Sequence, residues 1–397
     1  MFTKDAICGI TSPMHVGLGL QFNNLDGKTS DAEVYRRELA LAARAEEAGF
    51  DSVWASEHHF SDYQLTSNTP MFLSWVAGQT ERVKLGAMVT VLPWHDPVRV
   101  VESYSVLDHL SGGRAIMGLG RGLGAVEFTG FRVEMGESRR RFMEYSDAVL
   151  SALETGVMEY DGELYQQPRI DIRPAPLATF KQRTFASAVS PESMEIMARM
   201  GVGLMVIAQK PWETAEAELE AYRERFFELN GTEAPKPILV VVAGVSRDPQ
   251  EARRMREVYL QRWARSTVEH YQFDNEGFAE IEGYEYYAAL ASNINKHGME
   301  RFNSFLADLQ VWGSPAQVTE KLLDYAERTD AAGLVVPLCF GGMDADESQR
   351  AFDTFAEDVL PALQAQDAGG DIGVTYASRD RTAAPVPADA EPAAAAL

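Results

Sequence analysis

An α/β fold of the (β/α)8 TIM barrel type, with an insertion between strands 7 and 8, is predicted on three observations. Short apolar runs alternate with longer amphipathic ones along the whole chain, the pattern of strand and helix units on a parallel sheet. With 397 residues, 46% of them apolar, the chain can bury one large core. The run VWASEHHF (Val53 to Phe60) and the stretch Val83 to Gly122 place two histidines and an arginine at the carboxyl ends of successive buried strands. Barrels keep their chemistry there.

The units follow in order. Ala6–Ile10 reads as the first strand and Ala32–Ala48 as its helix; Ser52–Ala55 and Thr69–Gln79 make the second pair, and Val83–Val91 with Val98–Leu110 the third. Ala115–Leu119 pairs with Arg139–Leu153, Thr184–Ala188 with Glu192–Met200, and Leu204–Ile207 with Thr214–Glu228. Ile238–Ala243 with Pro249–Trp263, and Gly333–Pro337 with Glu347–Leu360, complete eight units. Eight fit a closed barrel better than an open doubly wound sheet, which usually stops at about six strands.

The interval 269–310 breaks the rhythm between the seventh and eighth strands. It carries Tyr271, Phe273, Phe278, Tyr284, Tyr286 and Tyr287, with Phe302 and Phe305 behind them. That composition suits a lid over the barrel mouth or a pair of helices packed on the barrel side, two arrangements composition does not separate. Residues 1–366 are read as one domain, and 367–397 as a flexible Ala/Pro-rich tail.

The formal charge is −23, from 59 acidic against 36 basic residues, with no long Lys/Arg run; nucleic acid is excluded as an expected partner. No stretch of eighteen apolar residues occurs, and the first residues lack an apolar run behind a basic start. A cytoplasmic protein without membrane contact is expected. Cys8 and Cys339 are the only cysteines, too few for a disulfide framework or a thiolate metal site.

Among the polar residues at strand ends, His58 is suited to taking or supplying a proton near neutral pH. Neighbours in extended structure point apart, so Glu57, His58 and His59 are not all expected to face one cavity. No metal is expected from this triplet, because the HExxH spacing is absent and adjacent histidines make poor tetrahedral partners. Arg121 stands in GLGRGLG, where glycines let a ligand approach and the guanidinium fork suits a phosphate; pairing with Glu127 on a solvated face is the alternative. Ser190 and Ser193 open the helix after the fifth strand as an N-cap, a phosphate receptor, or both.

The segments VWASEHHF, LPWHDPVR, LDHLSGGRAIMGLGRGL, FASAVSPESMEIMARMG and WGSPAQV, in that order between Ile7 and Leu363, resemble bacterial luciferase and the luciferase-like flavin monooxygenases, with the catalytic luciferase subunit closest in pattern. The resemblance implies a two-component monooxygenase. Reduced FMN (FMNH2) would come from a separate flavin reductase, dioxygen would be trapped as a flavin C4a-(hydro)peroxide, and a small, largely apolar organic substrate would be oxidised. It implies His58 as the catalytic histidine with His59 supporting it, and Met88 and Val89, joined by a non-proline cis peptide, against the isoalloxazine. It places Arg121, Ser190 and Ser193 at the flavin phosphate, Glu127 near the flavin, and Trp263 in the core or the pocket wall. A homodimer is expected by the same resemblance, through the first helices and the helix after the third strand. Gly120 departs from the pattern: the family's reactive cysteine precedes the arginine, and its loss removes a thiol and is expected to open space. A deazaflavin-dependent oxidoreductase and a noncatalytic flavin-binding partner subunit are the alternatives.

Overall fold

The computed structural model describes residues 12–25, 27, 29–368 and 372. Eight parallel strands close on themselves: β1 (His15–Leu20), β2 (Ser52–Ala55), β3 (Lys84–Ala87), β4 (Ala115–Gly120), β5 (Thr184–Ser187), β6 (Gly203–Ile207), β7 (Ile238–Val240) and β8 (Gly333–Pro337). Each pairs with the next, and β8 returns to β1 with Gly333 opposite His15 and Pro337 opposite Gly19. The predicted barrel is the observed one.

Three strand boundaries differ from expectation. Ala6–Ile10 lies outside the described residues, and the strand between β2 and β8 is HVGLGL, fully buried despite its glycines. Those glycines dilute the apolar signal, but the interior needs them. Trp54 of β2 fills the barrel, and a Cβ on Gly17 or Gly86 would fall 2.6 or 2.2 Å from its indole. The third strand is not continuous from Val83 to Val91: after β3, the Met88–Val89 peptide is cis, and Thr90–Val91 rejoins β4 at Leu119 and Gly120. The seventh stops at Val240, while Ala243–Val245 pairs with Val311–Gly313.

Trp54, Ile116, Phe185, Met205, Ile238 and Val335 form the plug inside the barrel, with Met88 and Val89 on it. A second, larger apolar layer lies between strands and helices. The helices are α1 (Asp31–Arg44), α2 (Thr69–Ala77), α3 (Pro97–Ser111), α4 (Ala125–Phe131), α5 (Ser138–Thr155), α6 (Pro191–Met200), α7 (Trp212–Asn230), α8 (Pro249–Arg254), α9 (Gln261–Tyr271), α10 (Glu285–His297), α11 (Met299–Leu309), α12 (Pro315–Thr329), α13 (Ala345–Asp358) and α14 (Leu360–Gln364). Their starts follow ordinary capping chemistry: Ser30 and Glu33 form a capping box on α1, as do Ser314 and Gln317 on α12.

The seventh helix outruns its expected end at Trp263. A π-helical stretch, Met255–Leu260, joins α8 to α9, and buried Tyr259, Trp263, Thr267 and Val268 continue the apolar stripe to Tyr271. The chain then turns through stacked aromatic pairs, Phe273 with Tyr287 and Phe278 with Tyr284, into α10 and α11. Among the described residues, no helix is long and apolar enough to cross a membrane. Most of the expected tail lies outside the described residues. At its start, Asp367 bridges Pro13 and Ile372 is buried against the plug.

At the base of the barrel, Ser52 Oγ accepts from Trp54 Nε1 (2.6 Å) and lies 2.7 Å from His15 Nε2. Burial, helped by the charge of Lys84, pushes the His15 pKa well below 6.5. Because the folded pKa is depressed, this contribution to stability is complete above about pH 6.5 and is lost as pH falls, by at most about 1.4 kcal/mol per pH unit. His15→Gln is expected to flatten the fall in thermal midpoint between pH 7 and pH 5. An unchanged pH slope in the variant would show that His15 titrates normally.

Candidate active site

The carboxyl ends of the strands and the insertion enclose a cleft. Met88, Val89, Gly120, Arg121, Glu127 and Ser193 all line it, together with Glu57 and His58. Ser190 caps α6, its hydroxyl 3.0 Å from that of Ser193 and accepting the Ser193 N–H at 3.3 Å. His59 is turned away from the cleft, its ring against Trp94 and Phe131. Trp263 is buried in the apolar core.

The floor is apolar and close-packed. Val89 and Met88 rest on the barrel plug, and β4 passes beside them through its glycines, Gly118 and Gly120. A Cβ on Gly118 would lie 1.9 Å from the Ala87 carbonyl oxygen, and one on Gly120 2.2 Å from Val89 Cγ2. The space expected at Gly120 is therefore filled by valine, since a β-branched side chain occupies what a larger residue there would need. Gly120→Ala is expected to cost about 1–3 kcal/mol by overpacking, with Val89→Ala in the same chain restoring most of it. Denaturant unfolding of the two variants measures this, and equal midpoints for wild type and Gly120→Ala would contradict it.

At one part of the cleft two guanidiniums converge. Arg121 Nη1 donates to the Gly283 carbonyl at 2.7 Å and Arg139 Nη2 to the same oxygen at 3.2 Å; Arg121 also lies 4.4 Å over the Tyr284 ring. Among the described residues neither forms an ion pair within 4 Å, and the Arg121–Glu127 pairing given as the alternative is absent. Buried Arg183, by contrast, is held by both oxygens of Asp108 at 2.5 and 2.8 Å. Two guanidiniums on one carbonyl, in the cleft that Ser193 also lines, have the chemistry of an anion receptor, with the charge of the neighbouring Glu285 acting on both. Arg139 went unnoticed in sequence because SRRRF offers three arginines and only the folded helix shows which one turns inward.

The proton-handling group is built on carboxylates. Glu127 Oε1 accepts from His58 Nδ1 at 3.0 Å and from the His59 backbone N–H at 2.9 Å, with His270 Nε2 3.5 Å away. Burial opposes its charge, yet facing His270 and His58 hold the carboxyl down at about 2. An anion accepting at Nδ1 leaves Nε2 of His58 as the acceptor, facing the Tyr271 hydroxyl at 3.4 Å. Burial pushes the Tyr271 pKa well up, so it remains a donor. Glu57 forms a second knot: its Oε1 accepts from His59 Nε2 (3.0 Å) and His95 Nε2 (2.6 Å), and its Oε2 accepts from Val91 N–H (3.0 Å). Burial raises the Glu57 pKa, but the bonds from His59 and His95 more than offset it and the carboxyl ends below its usual range. His59 thus orients rather than reaches the cleft. Glu57, His95 and His270 were not singled out as site residues in sequence; His95 in PWHDP carried the only local signal, a histidine just past a strand end.

Tyr271 and Tyr287 line the cleft, so the insertion forms its wall. Fold and site together define the class, a TIM-barrel enzyme with its chemistry at the barrel mouth. The family model for luciferase-like monooxygenases matches residues 14–331, and the chain belongs to that family of oxidoreductases. It is 28% identical over 342 residues to the alkanal monooxygenase alpha chain of Photobacterium leiognathi, covering 84% of this chain and 95% of that one. Among solved structures, the monooxygenase RslO1 from Streptomyces bottropensis superposes with a TM-score of 0.70 at 23% identity, covering 88% and 99% of the two chains. The oxygenating constituent of 3,6-diketocamphane monooxygenase from Pseudomonas putida, solved with FMN, gives 0.66 at 16% identity (88% and 98%). An F420-dependent secondary alcohol dehydrogenase gives 0.64 at 15% (88% and 99%).

Proposed function

We propose that this chain is the oxygenase of a two-component system, taking reduced FMN from a separate flavin reductase and using dioxygen to oxidise a small, largely apolar organic molecule. The observation that carries this reading is the pair of guanidiniums, Arg121 and Arg139, converging on the same cleft as the apolar floor. A flavin mononucleotide has those two ends, a dianionic phosphate and a flat ring. The names of the luciferase-like relatives and the FMN-bound neighbour support the choice of flavin.

Arg121, Arg139 and Ser193 would hold the phosphate, with Ser190 fixing the start of α6 behind them. Met88 and Val89 would support the ring. Bound reduced flavin supplies the electrons that activate dioxygen. Tyr271, Tyr287, Phe142 and Leu123 exclude water from the reacting face. His58, its Nδ1 proton fixed on Glu127, accepts or returns a proton through Nε2.

A homodimer is part of this reading. Met71 and Trp75 on α2, and Val106 and Leu110 on α3, are exposed apolar side chains on packed helices. Sedimentation equilibrium giving twice the chain mass supports the pairing; the mass of one chain refutes it. A cytoplasmic location, shared with the reductase, belongs to the same reading and is checked by cell fractionation.

The test of function is an anaerobic titration with reduced FMN, followed by rapid mixing with oxygenated buffer while the flavin spectrum is recorded. Saturable binding, then a transient spectrum preceding oxidised flavin, is the expected result. Binding of reduced F420 in place of reduced FMN would instead favour deazaflavin-dependent hydride transfer. Flavin binding with no oxygen-dependent product across substrates would leave a noncatalytic partner subunit.

A further inference from the structure

We infer that His58, Glu127 and His270 form a binding site for a zinc-class divalent cation, independently of the flavin reading. One ligand atom from each lies within 4.8 Å of the other two, although the residues come from the end of β2, α4 and the end of α9. The Glu57-His58-His59 run that draws attention in sequence is not this site; only one of its members takes part.

Two buried atoms of the cluster lack a hydrogen-bond partner: Glu127 Oε2 and His270 Nε2. Both side chains are almost fully covered, at 1% and 3% exposure. Leaving such atoms unpaired costs free energy, so native structures usually give them a partner. A cation supplies both at once. The surrounding bonds are those of ligand side chains held from behind. His270 is held at its other nitrogen, Nδ1, by Ser61 Oγ at 3.2 Å, which leaves Nε2 directed at the cluster. Glu127 is held through Oε1 by the His59 backbone N–H at 2.9 Å, which leaves Oε2. Tyr271 at His58 Nε2 can accept that nitrogen's proton once Nδ1 gives its own up.

The donor set of two imidazoles and a carboxylate is that of open zinc sites, with zinc–nitrogen distances of about 2.0–2.1 Å and ligand atoms roughly 3.3 Å apart. One ligand atom from each residue already lies within 4.8 Å of the other two, so no edge has to close by more than about 1.5 Å. The ion competes with the Nδ1 proton of His58 for the same lone pair, so occupancy takes His58 out of its bond to Glu127. Zinc is therefore a reversible inhibitor of any reaction that uses His58.

The test is a Zn2+ titration of the full-length, chelator-stripped protein without flavin, read by competition with a chromogenic chelator. One Zn2+ per chain is expected, unaffected by excess Mg2+. His270→Gln and Glu127→Gln should each weaken it at least about a hundredfold, and Ser61→Ala, which frees only the back of the His270 ring, about tenfold. His297→Gln, at an exposed histidine outside the cluster, should change nothing. Co2+ in place of Zn2+ should give visible bands of nitrogen-bound cobalt, lost in His270→Gln; this readout and Ser61→Ala stand if the ligand variants misfold. Absence of stoichiometric binding, or binding indifferent to His270→Gln and Ser61→Ala, overturns the proposal without touching the flavin reading.

Discussion

Arg121→Met is expected to raise the dissociation constant for reduced FMN by about a hundredfold, with unfolding midpoint nearly unchanged. The guanidinium donates to the Gly283 carbonyl and lies over Tyr284. Loss of two charge-assisted hydrogen bonds to a phosphate accounts for about 3 kcal/mol or more. Arg139→Met should act in the same direction, and the double variant should lose less than the product of the two effects, because both donors meet one anion. Riboflavin, with no phosphate, is the control: its weaker affinity should be the same for wild type and both variants. Equal losses for FMN and riboflavin would mean that the arginines act on the fold of the mouth and not on the phosphate.

The second large effect is expected at the proton-handling group. His58→Asn should lower turnover by about a hundred- to ten-thousandfold, the range of a positioned acid or base, with reduced FMN binding kept within a few-fold. Glu127→Gln keeps the volume but offers His58 Nδ1 and the His59 N–H a neutral amide in place of a carboxylate held at about 2. It no longer dictates which imidazole nitrogen carries the proton, so a turnover loss of about tenfold to a hundredfold is expected. Single-turnover rates with preloaded reduced flavin separate these steps from binding. Wild-type rates in His58→Asn would remove the imidazole from the reaction.

The barrel was legible because its signal is local and repeated. A parallel strand buried on both faces reads as an apolar run, a helix on the barrel as a 3.6-residue stripe, and neither needs a distant partner to be recognised. A strand whose residues answer to another element's side chain carries no such local signal. HVGLGL owes Gly17 to Trp54 of β2 and Gly19 to Pro337 of β8, and its weak apolar content is why the sequence pattern points upstream to Ala6–Ile10. The helix expected to end at Trp263 runs to Tyr271 because a π-helical stretch shifts its buried face without breaking it.

Sequence by itself determined the fold class, the strand-end positions of His58 and Arg121, and the serine-capped start of α6, since each is written within one strand–helix unit. Tertiary structure decided what those groups do. The carboxylate that holds His58 lies 69 residues away, the carbonyl on which Arg121 and Arg139 converge 162 residues beyond Arg121, and the tyrosine facing His58 213 residues away. Barrel closure brings the ends of all eight strands to one mouth, so partners there come from anywhere along the chain, and no local spacing can encode which carboxylate, imidazole or carbonyl will meet.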